Sequence, residues 1–227
     1  MANKNKIDWL PGGPKPDLLG ERIAQLRGQL QNLEPEQLAK RTGTIYLPSN
    51  QDSGEFQFNL WDREISLKFP ELIAYDAHSN AEISGSTLAM ILYYFATCDG
   101  TQPSGNWISF SELPEGRFYN QAFQGYTGGK LGQVFGNDFK LFCQVSEKMN
   151  GARAHMLGDA AYQFYVLPLV SLLLVTWRGD EDFNATYQVL FDETISHHLP
   201  TDASAITGSI LTGRIIGGLE KMNENRN

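Results

Sequence analysis

The chain has 227 residues, 41% of them hydrophobic, and carries 18 basic against 26 acidic side chains for a formal net charge of −8. This is the size and apolar content of one globular domain with a core of its own, not of a disordered chain. The charge is uneven: residues 1–42 hold seven bases and five acids, +2, which leaves −10 for the remainder, a surface that repels phosphate backbones and argues against nucleic-acid binding.

Cys98 and Cys143 form no CxxC pair, so zinc ribbons, thiolate-ligated clusters and a disulfide framework within the chain are not expected. Both sit in apolar surroundings, as buried reduced thiols do. The stretch Met1 to Lys6 is polar, with no apolar run of a secretory signal. The longest apolar stretch, Phe164 to Trp177, is interrupted by Pro168 and is shorter than the roughly 20 residues that cross a bilayer. A cytoplasmic protein with no membrane partner is the expectation.

In chain order, the Pro- and Gly-rich stretch 8–16 is expected to be irregular. Leu19, Ile23, Leu26, Leu30 and Leu33 then fall at helical spacing, and Pro35 opens a second short helix that Gly43 ends. Residues 1–42 are therefore read as a helical arm docked on the surface of a single domain, 43–222, followed by a disordered tail, 223–227. From Thr44 the period becomes two: Ile45 and Leu47, then a hairpin over 54–69. Residues 87–98, started by a Ser84 or Ser86 cap, are apolar almost all round and predict a buried central helix. A short strand at 107–110 and a Gly-rich helical region from Gly116 to Asn150 follow. Leu169 to Trp177 has no polar face and predicts a central strand, with Tyr187–Phe191 antiparallel to it. A helix from Pro200 to about Met222 closes the chain. The fold class is α+β: a largely antiparallel sheet with a buried central helix, flanking helices and the N-terminal arm.

Known signatures are mostly missing. Gly128-Gly129-Lys130 suggests a phosphate loop, but Gln124 occupies the position of the first P-loop glycine and Leu131 that of the magnesium-binding hydroxyl. Asp180-Glu181-Asp182 reads as an acidic turn, or as a dock for a cation or basic partner. Phe118, Tyr119, Phe123 and Tyr126 lie near one helical face, which suits either core packing or a stacking platform for a flat ligand. The densest polar constellation is Asp192 to Asp202, where a buried strand ends and a helix begins. There His197 and His198, the adjacent imidazoles, lie beside Asp192 and Asp202, residue types suited to ligating a metal or to general-base chemistry.

The run Trp107-Ile-Ser-Phe-Ser-Glu-Leu-Pro-Glu-Gly-Arg-Phe-Tyr-Asn-Gln-Ala-Phe, with Gly158-Asp-Ala-Ala, Leu167-Pro168 through Trp177-Arg-Gly-Asp-Glu-Asp-Phe, and Leu190-Phe-Asp with His198-Leu-Pro-Thr-Asp, resembles an uncharacterised domain family of anaerobic bacteria and archaea. Some members of that family look fused to a four-iron–four-sulfur domain similar to that of corrinoid iron–sulfur proteins. The resemblance implies work near tetrapyrroles or one-carbon metabolism, with a corrinoid or iron–sulfur protein as partner, and no established activity.

The expectation is a binding module for a small molecule, with a corrinoid or haem as the sharpest guess. Its cofactor-binding residues would be His197, His198, Asp192, Asp202, Phe118, Tyr119 and Tyr126, and His197 and His198 would be the metal ligands. The alternatives are a metal-dependent hydrolase using the His197/His198 turn and an acidic protein-interaction subunit.

Overall fold

The structure, a computed structural model, describes residues 16–50, 53–155 and 157–224. Of the irregular stretch expected at 8–16, residues 8–15 lie outside the described residues, as do the last three of the expected tail, whereas Pro16 already opens a helix and Asn223 and Glu224 close one.

The elements are α1 (Pro16–Leu30), α2 (Pro35–Thr42), β1 (Ile45–Asn50), β2 (Ser53–Leu60), β3 (Arg63–Phe69), β4 (Ile73–Asp76), β5 (Glu82–Ile83), α3 (Gly85–Thr97) and β6 (Trp107–Ser109). They continue with α4 (Gly116–Tyr126), α5 (Gly128–Phe135), α6 (Phe139–Lys148), β7 (Ala152–Ala154), β8 (Ala160–Leu167), β9 (Val170–Trp177), β10 (Thr186–Asp192) and α7 (Thr201–Glu224). Short 3-10 turns occupy Phe110–Glu112 and Glu193–His197. The protein is α+β, as the pattern of residues predicts, but among the described residues its strands form two antiparallel five-stranded sheets instead of one. None of the described helices is long and apolar enough to cross a membrane.

The chain divides into two compact units. The first comprises residues up to Gln102, the segment Leu167–Leu169 and His197–Ile206. Its sheet is a meander in the order β1-β2-β3-β4-β5. The period-two alternation puts Phe56, Phe58, Leu60, Ile65, Leu67 and Phe69 on a buried face. Helix α3 buries an unbroken run from Leu88 to Phe95, and the Phe95 ring lies 5.0 Å from Phe56 and 5.7 Å from Phe58. Ser84 stands at the expected N-cap position, yet its side chain makes no capping hydrogen bond.

The described part of the N-terminal arm, from Pro16, is helical, and it supplies core side chains: Leu26, Leu30 and Leu38 are each 1% exposed, and α1 packs on α3. Polar contacts hold it as well. The Arg22 Nε–H donates to Tyr93 Oη at 2.7 Å, Arg41 Nη2 donates to the Phe95 carbonyl at 2.7 Å, and Tyr94 Oη donates to the Thr42 carbonyl at 2.6 Å. Gly43, at φ 64, ends α2 in the left-handed conformation that its missing Cβ permits.

The second unit comprises Pro103–Val166, Val170–Ser196 and the chain from Thr207 onward. Its sheet runs β6-β10-β9-β8-β7, so β9 is central. Every β9 residue but Trp177 is buried, in agreement with its continuous apolar run. The antiparallel pairing of β10 with β9 is also as expected. An aromatic core lies among its helices and sheet: Phe110 stacks on Phe123 at 4.2 Å and 13°, and Phe142 meets Tyr187 edge-on at 5.1 Å.

Candidate functional site

The turn from β10 to α7 is built from local rules. Asp192, the last residue of β10, is 2% exposed. Its carboxylate accepts from the Ser104 amide and hydroxyl, the Gly105 amide, and the Thr194 amide and hydroxyl, at 2.7–3.2 Å. Burial pushes this carboxyl up, but the Thr194 hydroxyl and the surrounding amides outweigh it and hold the group below its ordinary range. Asp192 thus fastens the 104–105 loop to the end of β10, and its oxygens are engaged in doing so.

In the first unit, the end of α3 and the residues before α7 meet in parallel pairs. The His197 imidazole Nδ1 lies 2.7 Å from Asp99 Oδ2, and the Asp99 amide donates to the His197 carbonyl at 3.2 Å. Both side chains are half exposed. The bond to His197, with help from Thr101, holds the Asp99 carboxyl well below the usual carboxylate range. One residue on, His198 is buried, with Nδ1 3.3 Å from Cys98 Sγ. Asp202, in the first turn of α7, accepts from Tyr93 Oη at 3.4 Å. Burial raises its pKa despite the nearby Arg22 guanidinium.

The structure therefore gives His197, His198 and Asp202 three different neighbours in the first unit: Asp99, Cys98 and Tyr93. Asp192, Phe118, Tyr119 and Tyr126 belong to the second unit. Phe118 is 85% exposed and Tyr119 is half buried. Tyr126 packs edge-on against Phe123 at 5.6 Å, and burial raises its pKa. Among the described residues, no three His, Cys, Asp or Glu side chains gather as a metal-binding group. The acidic run 180–182 is a tight turn, with Asp180 Oδ1 accepting from the Asp182 and Phe183 amides at 2.9 and 2.8 Å.

A different concavity lies within the second unit, where the sequence offers only glycines. Helix α5 reads Gly-Gly-Lys-Leu-Gly-Gln-Val-Phe, and a glycine inside a helix costs about 1 kcal/mol relative to alanine. Gly128 faces β10 so closely that a Cβ there would lie 2.0 Å from the Tyr187 carbonyl oxygen. Gly129 is also close-packed, its Cβ position 3.1 Å from the Gln124 carbonyl oxygen, whereas Gly132 and Gly136 leave space where side chains would stand. The result is a cavity of about 510 Å³, walled by α5 residues 128, 129, 132 and 133, by Gly136, and by Asn184–Tyr187. Two hydrogen bonds tie its sides together: Tyr187 Oη donates to the Gly136 carbonyl, and the Ala185 amide to Asn137 Oδ1, both at 2.8 Å.

Residues 34–214 match the sequence profile of a domain of unknown function, DUF3786. The chain belongs to the DUF3786 family. No curated protein and no solved structure gives a significant match. The DUF3786 span takes in both the 192–202 turn and the whole glycine-walled cavity.

Sequence reasoning passed over this cavity for a definite reason. Gly128-Gly129-Lys130 fails as a phosphate loop, and the test ends there. The informative feature was the density of glycine inside a helix of the DUF3786 domain, where only a close packing contact or an open space offsets the lost helix propensity.

Proposed function

We propose that this chain is a cytoplasmic binding module for a small organic molecule, held in the glycine-walled cavity beside α5. The observation that carries this reading is the cavity itself. Its volume of about 510 Å³ lies within the roughly 300–1,000 Å³ of small-molecule sites. Glycine backbone lets a flat ligand approach the wall, and the Gln133, Asn184 and Thr186 side chains offer hydrogen bonds to orient it.

The finer reading, a tetrapyrrole linked to anaerobic one-carbon metabolism, rests on the family resemblance. The cavity wall contains no imidazole or thiolate, so a tetrapyrrole seated there would be held by its ring face and its periphery, without an axial side chain. A corrinoid, rimmed by carboxamides, suits such a wall better than haem with its propionates.

The test is titration of the full-length protein with cobalamin, cobinamide and haemin, read by visible spectra and thermal shift, alongside native mass spectrometry of freshly purified protein. The same titrations are run on Gly132→Leu, which fills the cavity from a position where a Cβ meets only the Tyr187 ring edge at 3.8 Å. A retained small molecule, or a titrated one, that Gly132→Leu excludes supports the module. A wild-type protein that retains nothing and responds to none of the three compounds overturns the tetrapyrrole reading.

A further inference from the structure

The wall of the cavity also says what kind of molecule it accepts. None of its nine lining residues carries a charge: five are glycine or alanine, and the rest are Gln133, Asn184, Thr186 and Tyr187. The segment leading into one side brings three acids, Asp180, Glu181 and Asp182, and the chain as a whole stands at −8. An anion at this partly open site would find no guanidinium or ammonium in the wall to replace the water it gives up. Lys130 belongs to α5 but is not among the lining residues.

The polar side chains that line it are all neutral: two primary amides, a hydroxyl and a phenol. Each primary amide, Gln133 and Asn184, presents a donor and an acceptor side by side, and the Thr186 hydroxyl does both. Paired donor and acceptor atoms of this sort match the edge of a nitrogen heterocycle, as amide side chains do when they read a base. Gly132 and Gly136, which carry no side chain, leave room for a ring beside the backbone.

Resting on the cavity reading above, we infer that the natural ligand is an uncharged planar heterocycle with adjacent hydrogen-bond donor and acceptor atoms, in the class of free nucleosides and isoalloxazines, and not a phosphorylated compound.

Paired probes decide this. Adenosine and riboflavin are titrated against the full-length protein beside AMP and FMN, which differ from them by a phosphate, with Gly132→Leu as the cavity-filled control. At least one uncharged probe is expected to bind about tenfold or more tightly than its phosphorylated partner, a difference of one decade in Kd, and to lose that binding in Gly132→Leu. Phosphorylated probes that bind as well or better, and are lost in Gly132→Leu, overturn the ligand class while leaving the cavity as the site. Binding that survives Gly132→Leu overturns the cavity assignment. Failure of all four probes overturns the ligand class, and the tetrapyrrole titrations then judge the cavity alone.

Discussion

Cys98 and His198 form a buried thiol–imidazole contact, with Sγ and Nδ1 3.3 Å apart. The thiol also lies 3.0 Å from the Arg41 carbonyl, to which it donates. Burial pushes the Cys98 pKa up, which keeps the thiol in the protonated form that this arrangement requires. The pair reads as a structural clasp between α2, the end of α3 and the start of α7.

Thiol accessibility follows from this. Cys98 is 0% exposed, whereas Cys143 is half buried and lies 3.6 Å from the Arg153 guanidinium. Native protein treated with iodoacetamide is expected to be modified at Cys143, with Cys98 reacting only after addition of denaturant. Peptide mapping by mass spectrometry checks this, and modification of Cys98 at the same rate as Cys143 in folded protein would contradict the buried clasp.

Acid stability depends on carboxylates held low by hydrogen bonds. Lys68, Ser66 and Gln57 bring Glu55 down to about 2, and Asp192 is also lowered. For both, the unfolded chain takes up protons first as pH falls. Their stabilisation is therefore full above about pH 5, beyond the unfolded carboxylate range, and drains away toward pH 2. Asp202, whose pKa is raised, acts in the opposite sense and softens the loss. Urea midpoints at neutral pH and at about pH 3 should show the wild type losing stability, with a smaller loss in Asp192→Asn. An equal loss in that variant would remove Asp192 from the account.

Asp192→Asn itself replaces an acceptor of five hydrogen bonds by a group with one oxygen. At neutral pH it is expected to cost about 1–3 kcal/mol, since the Gly105 amide that donates to Oδ2 would face an NH2 group and the Ser104 and Thr194 bonds to Oδ1 would lose their charged acceptor. His197→Ala, which removes half-exposed contacts with Asp99 and Thr101, should cost under about 1 kcal/mol. Thermal melts of the two variants test the contrast, and the reverse order would show that the weights of the two contacts are misassigned.

Two glycines four residues apart in α5 should respond oppositely to alanine. A Cβ at Gly128 would sit 2.0 Å from a backbone oxygen, whereas at Gly132 its nearest neighbour is 3.8 Å away. Gly128→Ala is expected to destabilise by about 2–3 kcal/mol through forced displacement of the backbone, and Gly132→Ala to be neutral or to stabilise by up to about 1 kcal/mol. Equal melting temperatures for the two variants would refute the close approach of α5 to β10.

Removal of residues 1–40 eliminates Leu26, Leu30 and Leu38, each almost fully buried. At about 2–3 kcal/mol for each large apolar side chain, the loss approaches the whole stability of a typical domain. A chain beginning at Arg41 is expected to lose its cooperative melt. Retention of a sharp transition near the wild-type temperature would mean that the arm is peripheral.

Much of the fold was legible where a segment had only one physical option. Leu172, Leu173, Leu174 and Val175 form a run with no polar residue of its own to turn toward water, and α3 is similarly apolar all round, so both had to be buried. The short strands Ile73–Asp76, Glu82–Ile83 and Ala152–Ala154 were not foreseen, because two to four residues are too few to establish a period of two. The division into two sheets was not legible either. Leu190 pairs with Ser109 and Asp192 with Trp107, and alternation along a strand says nothing about which distant strand it will join. At the 192–202 turn the chemistry was visible in the residue types, while the partners Asp99, Cys98 and Ser104 lie far away in sequence. The cavity left the faintest trace, since it is made chiefly from side chains that are not there.

The boundaries between the compact units fall at 102/103, 166/167, 169/170, 196/197 and 206/207, the last of them inside α7. The covalent thread returns to the first unit twice after leaving it, so no single scission of the polypeptide releases either unit whole. A ribosome completes the first unit only after most of the second has already been synthesised. Dissection into halves, the usual route to assigning work to parts, is closed to this protein, and point substitutions in the intact chain must take its place.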